Sequence, residues 1–289
     1  MYPGKYAEQN PDRSAFVMAA TGERVSYQEF EARSNRVAHY LADKGLGFQD
    51  HYSIFMENNN RYLESCAAGE RSGLYFTCIN SFLTSDELAY IINNSESQIL
   101  ITSMSKLEAA QEALAQCTAI KEVLVVGAGD ADLPEGMSDF ASTLSKYPET
   151  PLERELLGAA MLYSSGTTGR PKGIVRPLPE QSPDEPLPVI GFLSGLWRYR
   201  EDMIYLSPAP LYHSAPQAAV GLTLRMGGTV VIMERFDPAD YLRFVEEYQV
   251  SHSQLVPTMF SRMLKMPEED RTKYDLSSLE VAVHAAAPC

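Results

Sequence analysis

Met161-Leu162-Tyr163-Ser164-Ser165-Gly166-Thr167-Thr168-Gly169-Arg170-Pro171-Lys172-Gly173-Ile174-Val175-Arg176-Pro177 is the stretch from which the rest of the chain can be read. Its centre, Ser164–Gly173, gathers three glycines, four hydroxyl side chains and two cations within ten residues. Apolar, aromatic or β-branched residues flank it on both sides: Met161, Leu162 and Tyr163 before, Ile174 and Val175 after. That pattern predicts a strand, a tight polar loop and a second strand. Glycines permit positive φ, so consecutive backbone N–H groups can turn toward one point. Such a nest of amides holds anions. Ser164, Ser165, Thr167 and Thr168 add donors or metal ligands, and Arg170 and Lys172 add charge. A plain surface hairpin needs only the turn residues, not this coincidence of glycine, hydroxyl and cation. The Walker-type phosphate loop does not fit. It requires Gly, four residues, then Gly-Lys-Ser/Thr opening a helix; counted from Gly166, Pro171 stands at the second glycine position, Gly173 follows Lys172, and a strand comes next.

The surroundings restrict the function further. At 289 residues the chain can bury a large core and form one big or two moderate domains. Apolar residues make up 45% and charged residues 21%, the balance of a soluble globular protein rather than a disordered or fibrous one. No apolar run is long enough for a membrane span. Met1–Lys5 lacks the apolar segment of a signal peptide. Cys66, Cys78, Cys117 and Cys289 have no metal-ligand or redox spacing, so reduced thiols in a cytoplasmic protein are expected. The net charge of −14 argues against nucleic acid as a partner. Any polyphosphate must therefore be held by local donors, which the opening loop supplies.

Taken in order, strands and helices alternate. Strands are expected at Phe16–Ala19 and Arg24–Ser26, then a helix after the capping box Ser26-x-x-Glu29. A strand at Tyr52–Met56, a turn at Glu57–Asn60, a helix at Arg61–Ser72 and a strand at Leu74–Ile79 follow. Thr84-x-x-Glu87 is a second capping box. Strands at Ile99–Thr102 and Val123–Val126 enclose a helix at Lys106–Cys117. Residues 130–158 are acidic and weakly patterned and read as a connection with some short helix. Beyond the hairpin, Pro177–Pro188 carries five prolines and three acids, so a mobile loop is expected. A second α/β series runs to Leu279–His284. Alternation of this kind predicts an α/β fold: two similar lobes of mainly parallel sheet flanked by helices. The expected division is a first lobe with its connection at 1–158, and the hairpin with a second lobe at 159–289.

Ser-Ser-Gly-Thr-Thr-Gly-Arg-Pro-Lys-Gly at 164–173 closely resembles the phosphate-loop signature of the adenylate-forming (AMP-binding) ligases, which include acyl-CoA synthetases, peptide-synthetase adenylation domains and luciferases. Three further segments match the family. Pro210-Leu211-Tyr212-His213 resembles its Pro-Leu-x-His motif beside the acyl-adenylate site, Gln254–Met259 resembles a strand end beside the acyl pocket, and His284–Cys289 resembles its small-residue motif. The resemblance covers nearly the whole chain but only the first half or so of a typical member.

It implies the N-terminal part of the family fold, without the C-terminal domain, and an acid–thiol ligase, most like a fatty or medium-chain acyl-CoA synthetase. ATP, Mg²⁺ and CoA are the implied cofactors and co-substrates, and a small-molecule carboxylic acid is the implied partner; a homodimer is compatible with this reading. Thr167, Lys172 and His213 are the implied catalytic residues, with Thr167 on the metal. Ser164, Ser165, Gly166, Thr167, Thr168, Gly169, Arg170, Pro171 and Lys172 would hold phosphates, and Ala286, Ala287 and Pro288 would lie against the adenylate. His213 is expected to shape the pocket rather than act as general base, because a carboxylate nucleophile is already ionised at neutral pH. The family's later glutamate for Mg²⁺, its ribose-binding aspartate and its catalytic lysine have no counterpart before Cys289, so a fragment inactive by itself is expected. A carrier-protein-loading adenylation domain and a non-catalytic nucleotide- or acyl-binding module are the alternatives. One departure stands out: where many members place a histidine after the loop, this chain has Arg176-Pro177.

Overall fold

Both capping boxes form. The Ser26 hydroxyl accepts from the Glu29 amide at 3.1 Å, and the Glu29 carboxylate accepts from the Ser26 amide at 2.8 Å. Two of the N-terminal amides that a helix leaves without partners are thereby satisfied. The helix Tyr27–Asp43 follows, burying Phe30, Ser34, Val37, Ala38 and Leu41 along one face. Thr84 and Glu87 start the helix Ser85–Asn94 in the same way, with Leu88, Ile91 and Ile92 inward. The fold is taken from a computed structural model, which describes residues 1–164 and 170–284.

Two six-stranded sheets result. In the first, the strands run in the order Met137–Asp139, Glu122–Val126, Ile99–Ser103, His51–Phe55, Tyr75–Cys78 and Ala159–Ala160, all parallel. The second has Val281–His284, His252–Leu255, Ile204–Ser207, Thr229–Ile232 and Ser14–Met18 in parallel order, with Arg24–Ser26 antiparallel at the edge. The central strands are buried along nearly their whole length, as parallel strands covered on both faces must be.

The strand pairing crosses the position 158/159 in both directions. Ser14–Met18 pairs with Thr229–Ile232, Phe16 lying opposite Val230, so the chain begins in the second sheet. Ala159–Ala160 instead closes the edge of the first sheet beside Tyr75–Phe76. Ala15–Met18 is apolar toward both faces and needs an interior position, a requirement that either sheet could satisfy. The expected connection at 130–158 also contains a strand, Met137–Asp139, and the helix Phe140–Leu144, whose N-cap Asp139 accepts from the Ser142 amide.

One apolar core joins the lobes, containing Phe16, Tyr205 and Val230 together with Tyr52, Ile54 and Phe76. Beside it Arg71 is fully buried. It bonds Glu31 and Glu155 at 2.5 Å each and the Ser34 hydroxyl at 2.7 Å. Loss of either carboxylate would leave a buried charge poorly paired. Residues 177–187 form a loop that leads into the helix Pro188–Trp197 and is tied to the rest of the fold at several points. Leu178 is buried, Gln181 accepts from the Leu157 amide at 2.9 Å, and the Pro183 carbonyl accepts from Arg225 at 2.7 Å.

Candidate functional site

The hairpin forms as its sequence implies. Leu162–Ser164 pairs antiparallel with Lys172–Ile174, placing Lys172 opposite Ser164 and Gly173 opposite Tyr163. Gly173 has a steric reason: a Cβ there would lie 2.4 Å from Met161 Cε and about 3 Å from the Tyr163 ring. Both strands are anchored to the first lobe. Tyr163 donates to Asn94 at 2.7 Å, Tyr90 donates to the Pro171 carbonyl at 3.0 Å, and Tyr75 donates to the Arg176 carbonyl at 2.5 Å. The Arg170 guanidinium stacks over the Tyr90 ring at 5.0 Å. Lys172 is exposed at the mouth of the loop and makes no ion pair with a described residue. Ser165, Gly166, Thr167, Thr168 and Gly169 lie outside the described residues, as do Ala286, Ala287 and Pro288; of Ser164 only the strand backbone is described.

The second half of the site is set by strand order. Ile204–Ser207, His252–Leu255 and Val281–His284 are adjacent and parallel, so the segments that leave their carboxyl ends start along one edge. These are the Pro208–His213 loop, Val256-Pro257-Thr258, and the residues after His284. In open parallel sheets ligands bind in the crevice outside those ends. His213 sits at the N-cap of the helix Ser214–Arg225, its ring 4.3 Å from that of Tyr212. Although its side chain is exposed, the protein around it desolvates the imidazolium and lowers its pKa, which favours the neutral ring. Met259 and Met263 are buried in the core of this lobe rather than lining the edge. Tyr199 is likewise buried, packed against Tyr205 and His252.

A residue that the sequence pattern marks only as part of a turn holds this edge. Asn58, buried after the strand His51–Phe55, donates to the carbonyls of Ala209 at 3.2 Å and Met233 at 2.9 Å. It accepts from the Leu211 amide at 2.9 Å. Two of these bonds fix the loop that carries His213, and the third ties in the end of the neighbouring strand Thr229–Ile232. Nothing local distinguishes Asn58 from Asn59 and Asn60, because its partners lie about 150 and 175 residues away. Gln217 adds a second tie, donating to the Cys78 thiol at 2.9 Å. No hydrogen bond or ion pair between described residues joins the hairpin to the His213 loop. Among the described residues no group of three His, Cys, Asp or Glu side chains could hold a metal ion. Among the described residues no helix is long and apolar enough to cross a membrane.

Two mainly parallel sheets flanked by helices, with the strand pair Leu162–Ser164 and Lys172–Ile174 beside them, make an α/β fold of the adenylate-forming type. The family model for AMP-binding enzymes matches residues 5–289, and the chain belongs to that family. It is 28% identical over 282 residues to 4-coumarate--CoA ligase 1 of Petroselinum crispum, covering 96% of this chain and 50% of the relative. It is also 28% identical over 295 residues to a medium/long-chain-fatty-acid--CoA/3-oxocholest-4-en-26-oate--CoA ligase of Mycolicibacterium smegmatis, covering 96% and 53%. The chain thus spans about half the length of these curated relatives. The inhibitor-bound N-terminal domain of FACL13 from Mycobacterium tuberculosis superposes with a TM-score of 0.81 at 21% identity, over 99% of this chain and 69% of that one, which shows the shared fold.

Proposed function

We propose that the protein carries the phosphate-binding and acyl-binding part of an AMP-forming acid–thiol ligase. The observation that carries this reading is the pairing of Lys172 with Ser164, which sets a glycine–hydroxyl loop between two strands anchored to the first lobe. In the reaction, a substrate carboxylate attacks the α-phosphorus of ATP, an acyl-adenylate forms and pyrophosphate leaves. The thiol of CoA then attacks the acyl carbon and releases AMP. Such chemistry depends chiefly on positioning and charge stabilisation. Ser164–Gly173 would hold the β- and γ-phosphates, with Lys172 as an exposed cation and Arg170 braced on Tyr90. His213 and Ala286–Pro288 would wall the acyl-adenylate. Mg²⁺ would arrive bound to ATP with Thr167 as a ligand. The described residues offer no carboxylate set for it.

A carboxylic acid of aryl or fatty type is the substrate class that the relatives' names support. This chain alone binds ATP but adenylates poorly. Removing a single transition-state donor costs roughly 10²–10³ in rate, and the family's later glutamate, aspartate and lysine lie beyond the matched half.

Calorimetric titration with ATP tests the reading. Saturable binding that weakens about tenfold or more in Lys172→Ala is expected, the loss of one charge-assisted contact. Equal affinity in the two proteins would remove the hairpin from the nucleotide site. Pyrophosphate exchange by this chain at the rate of a full-length relative would refute its dependence on further groups.

A further inference from the structure

A cavity of about 240 Å³ lies among the helices Tyr27–Asp43, Tyr62–Arg71 and Phe140–Leu144, lined by Arg33, Arg36, Arg61, Glu64, Phe140 and Leu144. Three guanidinium groups around one cavity run against the overall charge of −14. Their existing partners do not use them fully. Arg33 reaches Glu29 only at 3.4 Å, on a carboxylate that is half exposed. Arg36 uses Nη2 on Glu149 at 2.5 Å. Arg61 reaches the two oxygens of Glu64 at 3.4 and 3.5 Å. Arg33 Nη1 and Arg36 Nε are buried with no acceptor. A buried donor without a partner bears its desolvation cost uncompensated, so such atoms point to a missing acceptor.

Glu64 cannot supply it. The residue is 1% exposed, and among the described residues Arg61 is its only hydrogen-bond donor. Burial pushes its pKa up to about 7 in spite of Arg61, Arg33 and Arg36. Burial works against its charged form, so Glu64 neutralises the three guanidiniums lining the cavity only in part. Planar guanidinium forks match the edges of a tetrahedral oxyanion.

We propose that Arg33, Arg36 and Arg61 form a binding site for a phosphate-type anion, either inorganic phosphate or a small phosphomonoester. The site is distinct from the hairpin, whose anchors Tyr75, Tyr90 and Asn94 do not line the cavity. Glu64 is a tuning group that competes with the anion for the guanidiniums. Phe140 and Leu144 give an esterified phosphate an apolar wall.

Titration calorimetry in low-salt chloride buffer, with inorganic phosphate and with phenyl phosphate, tests this. Saturable binding is expected in the parent protein and, undiminished, in Lys172→Ala. Arg33→Gln and Arg61→Gln should each weaken it tenfold or more, and Glu64→Gln should tighten it severalfold. Tighter binding of phenyl phosphate assigns the monoester, and equal binding assigns the free ion. Absence of saturable binding, loss of binding in Lys172→Ala, indifference to the arginine substitutions, or weaker binding by Glu64→Gln would each overturn the proposal. Should Arg33→Gln not fold, the side-chain ¹⁵N resonances of Arg33, Arg36 and Arg61 in the parent protein give the same answer. Shifts that saturate with phosphate support the site, and unmoved resonances overturn it.

Discussion

The side chain of Asn58, in the first lobe, accepts from the backbone amide of Leu211, in the second, at 2.9 Å. Its NH₂ group meanwhile donates to Ala209 and Met233. Asn58→Ala removes all three bonds and leaves buried backbone groups unpaired. A loss of about 3 kcal/mol is expected, at roughly 1 kcal/mol per bond, measurable by urea unfolding. Asn58→Asp keeps the acceptor for Leu211 but loses both donors and buries a carboxylate, so it should do no better. Stability within error of the parent would show that the lobes are held without the three Asn58 bonds.

Two glycines separate backbone crowding from side-chain crowding. At Gly158 a Cβ would meet the Gly69 carbonyl at 2.1 Å and Leu74 backbone atoms at 2.5 and 2.8 Å. None of these can step aside, so Gly158→Ala should cost more than about 3 kcal/mol, at or beyond the upper end for overpacking. At Gly173 the nearest obstacle is the tip of Met161. Gly173→Ala should cost about 1–2 kcal/mol, partly recovered by Met161→Ala. Thermal melting of the variants ranks them, and the reverse order would contradict the packing described.

Glu64 makes stability depend on pH with a definite sign. Its carboxyl titrates near 7 when folded against an ordinary 4.5. Between those values the folded state binds more protons than the unfolded state, so stability falls as pH rises through that window. The loss approaches about 3 kcal/mol at pH 7 and above, from 1.36 kcal/mol per pKa unit. Below pH 4.5 both states are protonated and the penalty vanishes. Glu64→Gln should flatten this part of the profile and be the more stable protein at pH 8. Parallel profiles for the two proteins would place the titration elsewhere.

His213 should titrate below the ordinary imidazole value of 6.5, because desolvation disfavours its charged form. The ring proton resonances report the midpoint directly. His213→Ala should change stability by less than about 0.5 kcal/mol, as for an exposed side chain without a structural bond, while weakening binding of an acyl-adenylate analogue. A large loss of stability would assign the ring to the fold instead of the pocket.

Much of this architecture is legible from local pattern. Ser26 with Glu29 and Thr84 with Glu87 announce two helix starts, because capping satisfies backbone groups three residues apart. The hairpin around Ser164–Gly173 and the succession of buried strands follow from period and turn chemistry. The helix Ser214–Arg225 starts directly after His213, which makes the Pro210–His213 motif a loop-to-helix junction.

What the chain could not state locally is which sheet receives each strand and which side chains meet across the lobes. Ala15–Met18 shows that it must be buried, yet its pairing with Thr229–Ile232 depends on more than 200 residues of intervening chain. Asn58, Arg71 and the arginines of the cavity look like ordinary turn and surface residues until helices and sheets pack around them. The sequence by itself determined the phosphate-loop signature and the α/β alternation, because both rest on contacts within a few residues. The tertiary structure alone decided which sheet each strand joins, the clamp at Asn58 and the arginine cluster beside Glu64, because burial and long-range pairing exist only once the chain has closed on itself.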